Sequence, residues 1–177
     1  MTLGLCGFES HPRHYKMLVL GIDPGIGKVG YAIVEKINAA DQKLITYGCL
    51  TTPTKTPVSD RLVILHKKLE EIISKYKPGL LIIEKLFFNT NVTTAITVGQ
   101  AMGVIMLTGA QAGLSIVEVT PLQVKSTLTG YGRAEKGQVQ RMVMAQLGLK
   151  NKPTPDDAAD AIAVALCYCL TNYALRG

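Results

Sequence analysis

No stretch of this sequence combines the length and the apolarity needed to cross a membrane. Residues 158–170 are apolar, but about 13 residues make a core helix rather than a span. Residues 95–112 run longer, yet they carry Gln100, Gln111 and several threonines and lack basic flanks, which points to a buried helix. Residues 1–16 have neither the charged start, the apolar core nor the cleavage site of a secretory signal. They read as a mildly basic, flexible leader carrying His11, Arg13, His14 and Lys16, with Met17 as an alternative start. Cysteine is scarce: Cys6, Cys49, Cys167 and Cys169 form no C-x-x-C pair and have no histidine at ligand spacing. That pattern fits packing roles in a reducing, cytoplasmic compartment. Repeats, low-complexity tracts and long linkers are absent too, so nothing marks a second domain.

What is present suits one globular domain over residues 17–177. The chain of 177 residues can bury a substantial core, and 47% apolar against 18% charged residues excludes intrinsic disorder. Lys and Arg number 19 against 13 Asp and Glu, a net charge of +6. That balance is a mild indication of an anionic partner.

The chain is organised around residues 17–32, MLVLGIDPGIGKVGYA. An apolar run leads to Asp23 and breaks at Pro24-Gly25, the pattern of a buried strand ended by a turn. A second strand is expected over residues 29–36 and a third over 43–51. Short links make these three an antiparallel meander. Ser59 is the expected N-cap of a helix ending at Tyr76, with Leu62, Leu65, Leu69, Ile72 and Ile73 on one face. Residues 80–83 form another wholly apolar strand, and it ends on Glu84 as the first ends on Asp23. A helix over 92–112, a strand over 115–119 and a helix opening at Thr120-Pro121 follow. A further helix runs from about residue 134 to Leu147, and the last begins near Asp156. This order predicts an α/β fold, a mixed sheet covered by helices, with ligands off the carboxyl ends of the strands.

The last helix opens TPDDAADA. With Thr154 as N-cap and Pro155 at the first helical position, Asp157 takes a capping-box place where its charge favours the helix dipole. Asp160 lies beyond the first turn of an otherwise apolar helix, on the same face as Asp157. Singly, each acid has an ordinary reading: Asp157 a cap, Asp160 an exposed residue, Glu84 a partner of Lys85, Asp23 a turn former. Together Asp23, Glu84, Asp157 and Asp160 stand on elements that a compact fold can bring to one point. Clustered carboxylates repel and need cations, and hard oxygen ligands suit Mg2+ or Mn2+. Two such ions about 4 Å apart can activate water and stabilise the leaving oxygen of a phosphodiester. Lys125 and Lys136 could neutralise backbone phosphates, with Arg133 and Arg141 adding to a basic surface. Phe87 and Phe88, in a polar loop, could stack on unpaired bases.

The stretches GIDPGIGKVGYAIVE from Gly21, IIEKLFFNTN from Ile82, GQAMGV from Gly99, TPLQVKSTLTGYGRAEKGQVQRMV from Thr120 and PDDAADAIAVAL from Pro155 are highly specific as an ordered set. In that order they resemble the RuvC family of Holliday-junction resolvases, of the ribonuclease-H-like superfamily. The resemblance implies a ribonuclease-H-like fold with a five-stranded mixed sheet flanked by helices. It implies an endonuclease that cuts four-way DNA junctions symmetrically as a homodimer with Mg2+, in recombination and repair. Asp23, Glu84, Asp157 and Asp160 match the family's metal-binding acids, and Phe87 an aromatic associated with opening the junction. Lys125 and Lys136 match lysines near the cleaved strand. A branch-migration motor complex of the RuvA and RuvB type is the partner such a family suggests. Met102 stands where the family often has Arg.

Other readings share parts of the pattern. The first motif also looks like the phosphate loop of actin-like ATPases, but one such turn in 177 residues cannot supply their two lobes. An RNA-processing nuclease of the YqgF type shares that motif; the Phe87-Phe88 loop and the ordered lysines argue against it. A junction-binding protein with a dead site is opposed by four intact acids.

Overall fold

The computed structural model describes residues 16–38, 40–86 and 92–171, except for the side chains of 92–94. Strands β1 (Met17–Asp23), β2 (Lys28–Lys36) and β3 (Gln42–Thr51) are followed by helix α1 (Val58–Tyr76) and strand β4 (Leu80–Glu84). Helix α2 (Val92–Gln111), strand β5 (Ser115–Val119) and helices α3 (Pro121–Thr129), α4 (Lys136–Leu147) and α5 (Asp156–Leu170) complete the chain. The sheet order is β3-β2-β1-β4-β5. Short turns make β1 to β3 an antiparallel meander. Helix-length crossovers set β4 parallel to β1 and β5 parallel to β4.

Both faces of the sheet are covered, which is why β1 and β4 read as continuous apolar runs rather than alternating ones. Val19, Leu80, Ile82 and Val119 point to one face, against Ile162, Leu166 and the rest of α5, with α3 and α4 packed behind. Leu20, Ile22, Leu81 and Ile83 point to the other, against Leu65 and Leu69 of α1 and Ala101 and Ile105 of α2.

Helix ends follow the chemistry of their caps, with two departures from expectation. Thr120 accepts from the Gln123 backbone N–H at 3.2 Å while its own N–H donates to the Gln123 side chain at 2.8 Å, a capping box opening α3. Ser59 does not cap α1: Pro57 holds that place, and Ser59 lies inside the first turn. Likewise Pro155, not Thr154, is the N-cap of α5, so Asp156 and Asp157 both fall in the first turn. In each case the extended backbone that a cap requires is supplied by the proline itself, which has no N–H to lose there.

α2 is not buried all round. Ala101, Ile105 and Thr108 face the core, whereas Ile96 and Leu107 are 59% and 57% exposed. Met102 packs part-buried against the core cluster below α1 and α2, where an aliphatic side chain has a place.

Candidate active site at the carboxyl edge of the sheet

Asp23 is the last residue of β1, directly after the pair Ile22 and Ile83, and Glu84 follows Ile83 on β4. Parallel pairing therefore sets the two carboxylates side by side where both strands leave the sheet. On its other flank Asp23 is in register with Gly30 of β2. A Cβ at Gly30 would collide with the Asp157 carbonyl, and one at Gly21 with the Ala161 carbonyl and, at 2.7 Å, with the Ala165 Cβ. Glycine at these two positions lets α5 lie directly on the central strands. That close approach brings the N-terminal end of α5, with Asp157 and Asp160, over the strand ends.

The electrostatics record this convergence. Burial raises the Asp23 carboxyl to about 7, helped by the charges of Glu84, Asp160 and Asp157 and opposed by Lys136. Burial likewise raises Glu84 to about 7, with Asp160 adding to it and Lys125 opposing. A cleft of about 270 Å³ opens beside them. Glu84, Asp160, Lys125 and Lys136 supply its polar lining, and Val124, Val139 and Val164 part of its apolar lining.

Lys136 is not simply a surface lysine. Its ammonium donates to Asp160 at 2.8 Å and lies 3.5 Å from Asp156. Burial alone would lower its pKa, but the hydrogen bond to Asp160 and the charges of Asp160 and Asp156 hold it above the ordinary value. Asp156 pairs with Lys152 at 2.9 Å and is exposed, which leaves Asp157 and Asp160 as the inward pair. Glu84 does not pair with Lys85, whose ammonium goes to Glu118 at 3.4 Å.

Arg133 is exposed and does not line the cleft. Phe87 and Phe88 lie outside the described residues. Cys49, Cys167 and Cys169 are free thiols, and burial pushes Cys169 up to about 12, as packing roles require. Two buried polar residues near the site, Arg61 and Thr52, were not singled out from sequence. A signal was there: Arg61 extends the Leu65, Leu69, Ile73 stripe back by one i,i+4 step.

A five-stranded mixed sheet with acids gathered where β1 and β4 end defines the ribonuclease-H-like class of fold. The family model described as "Crossover junction endodeoxyribonuclease RuvC" matches residues 19–168. The chain belongs to that RuvC family of endonucleases. It is 55% identical over 152 residues to the RuvC protein of Halothermothrix orenii, covering 86% of this chain and 92% of the relative. With the Caldicellulosiruptor saccharolyticus protein of the same description it shares 53% over 156 residues, 88% and 94% of the two chains. Among solved structures it is similar to Thermus thermophilus RuvC in complex with a Holliday junction substrate, with a TM-score of 0.83 and 34% identity. That likeness covers 87% of this chain and 93% of the other. These findings decide for the resolvase family over the YqgF-type reading.

Proposed function

We propose that this chain resolves four-way DNA junctions by paired, symmetric phosphodiester hydrolysis at the acids of the sheet edge, in recombination and repair. The observation that carries the reading is the pair of half-buried carboxylates on adjacent strand ends, Asp23 and Glu84, beside a cleft lined by Lys125 and Lys136. A relative of 34% identity was solved with a Holliday junction as substrate, which supports the same class of DNA for this chain.

The donor set fits a hard divalent cation: four carboxylates, with no thiol or imidazole among them. Among the described residues no three acids are gathered at ligand distance, and Lys136 holds Asp160. Two half-buried acids raised to about 7 nevertheless form a site whose ionised state needs added positive charge. Asp23, Glu84, Asp157 and Asp160 are the residues proposed to hold Mg2+, two ions per site, with Mn2+ as a substitute. When bound, the ions supply an activated water and a counter-charge for the leaving oxygen. The protein's own part is to hold the acids on rigid elements and to receive the phosphate. Lys125 offers its ammonium to a strand entering the cleft, and Lys136 holds Asp160 by a hydrogen bond while adding positive charge beside it. Phe87 and Phe88 are proposed to stack on bases at the crossover, and Arg133 to meet the DNA backbone outside the cleft.

A four-way junction has approximate two-fold symmetry, and paired cuts call for two sites in a C2 dimer. We place the interface on the exposed face of α2, where Ile96 and Leu107 are bared and a Cβ at Gly103 would meet nothing. A cytoplasmic location and a branch-migration motor of the RuvA and RuvB type belong to the same proposal. The test is Mg2+-dependent cutting of a synthetic four-way junction beside a linear duplex of the same sequence. Paired nicks in the junction alone support the reading, and equal cutting of the duplex contradicts it.

A further inference from the structure

The turn at residues 24–27, which follows Asp23, is held from below by two buried residues of other elements. Thr52, just past β3, donates its hydroxyl proton to the Ile26 carbonyl at 2.6 Å, and its backbone N–H donates to the Gly27 carbonyl at 3.1 Å. That hydroxyl has one proton, so its remaining lone pairs can only accept. Arg61 of α1 fills that place, donating from Nε at 2.9 Å. One guanidinium nitrogen also lies 3.5 Å from where a Cβ at Gly27 would stand, so the group is packed under the turn. Arg61 and Thr52 are 9% and 6% exposed.

A buried guanidinium is costly to keep unless it does something a neutral group could not. Among the described residues no carboxylate pairs with Arg61. Its link to the site runs through hydrogen bonds to the backbone of the turn. The directional chain from Arg61 Nε to Thr52 Oγ1 to the Ile26 carbonyl, with the Thr52 amide on Gly27, ties the turn to α1 and to the end of β3. Asp23 is the residue that enters this turn.

We propose that Arg61 and Thr52 are positioning residues. They hold the 24–27 turn so that the Asp23 carboxylate stands at the angle that metal-assisted cutting requires. The proposal rests on the functional reading above. Positioning of this kind matters because small displacements of a reacting constellation cost large factors in rate.

The test compares Thr52→Val, which keeps the shape and removes both hydroxyl bonds, with Thr52→Ser, which keeps them. Three quantities are read for each folded protein: kcat and KM for junction cutting, junction affinity without divalent metal, and Mn2+ affinity of DNA-free protein by calorimetry. Thr52→Val should lose about tenfold or more in kcat and bind Mn2+ more weakly, while KM and metal-free junction affinity stay within about twofold. Thr52→Ser should stay close to the parent in all three. Arg61→Lys, which keeps the charge but not the planar fork, should fall between them. Parental kcat and Mn2+ affinity in folded Thr52→Val overturn the proposal. So does failure of both Thr52→Val and Arg61→Lys to fold, which would make the pair a stability element. If the parent protein itself does not cut junctions with Mg2+, the functional reading fails instead, and the two failures are distinct.

Discussion

The carbonyl of Asp157 occupies the place where a Cβ of Gly30 would stand. This contact fixes the height of α5 above the sheet and with it the approach of two acids to a third. Gly30→Ala forces the first turn of α5 to shift, at a cost of about 1–3 kcal/mol from overpacking. Cleavage should fall by more than the folded fraction does, because Asp157 and Asp160 move together. Urea melts read beside cleavage rates check this; a variant that melts early but cuts at the parental rate per folded molecule contradicts it.

The pH dependence has a definite sign. Asp23 and Glu84 are both raised to about 7 in the fold, from 3.8 and 4.5. Between those limits the folded protein holds more protons than the unfolded chain, so its stability falls as pH rises toward about 7. Metal-free protein should therefore melt lower at about pH 8 than at about pH 5, and added Mg2+ should recover more at the higher pH. The Mg2+ concentration for half-maximal cutting should drop over the same range, since protons compete for the acids. Thermal melts across pH, with and without Mg2+, give the answer; a metal-free melting temperature that climbs from pH 5 to about pH 8 contradicts the assignment.

Lys136 and Asp160 are 24 residues apart in the sequence and joined by a hydrogen bond of 2.8 Å. Lys136→Met should leave stability within about 1 kcal/mol, because the pair is half-exposed and partly screened. Cutting should fall about tenfold or more in kcat, and Lys136→Arg should recover part of it. Steady-state kinetics with a matched melt check this. A loss of stability with no loss of rate would make the lysine purely structural.

Much of this is legible in the sequence alone. The strands ending on Asp23 and Glu84 announce themselves because both sheet faces are covered, so each reads as an unbroken apolar run closed by one charge. The Thr120-Pro121 opening was legible because its capping box lies within four residues. Longer-range facts were not. That Lys136 serves Asp160, or that Gly30 lies under Asp157, depends on how α5 seats on the sheet, which local pattern does not encode. The α2 helix read as buried because it is apolar on most faces, yet Ile96 and Leu107 are bared. The cap of α1 lies two residues before the one that sequence suggests and that of α5 one residue after it, since a proline suits both the cap and the first helical position. Arg61 lies on the buried stripe of α1, a place that arginine seldom takes and that its residue type does not announce.

The exposed face of α2 carries the dimer proposal. Leu107→Asp places a charge where Leu107 is 57% exposed, so the fold itself should tolerate it. Sedimentation should show monomer where the parent is a dimer, and junctions should be nicked singly rather than in pairs. A dimer that survives this change and still makes paired cuts puts the interface elsewhere.

The central claim is that Asp23 is a metal ligand in a catalytic site, and Asp23→Asn tests it most directly. The amide keeps the side chain's shape and removes one half-buried charge that partial burial and three neighbouring acids already disfavour. Without metal the variant should be as stable as the parent or more so at about pH 8, and should bind junctions equally well or slightly more tightly. With Mg2+ its cleavage should collapse by about a thousandfold or more, because the amide is a poorer ligand. Junction cleavage by folded Asp23→Asn protein at saturating Mg2+ is the decisive measurement. Loss of cutting with binding intact is the result expected, and cutting at near the parental rate would contradict the account.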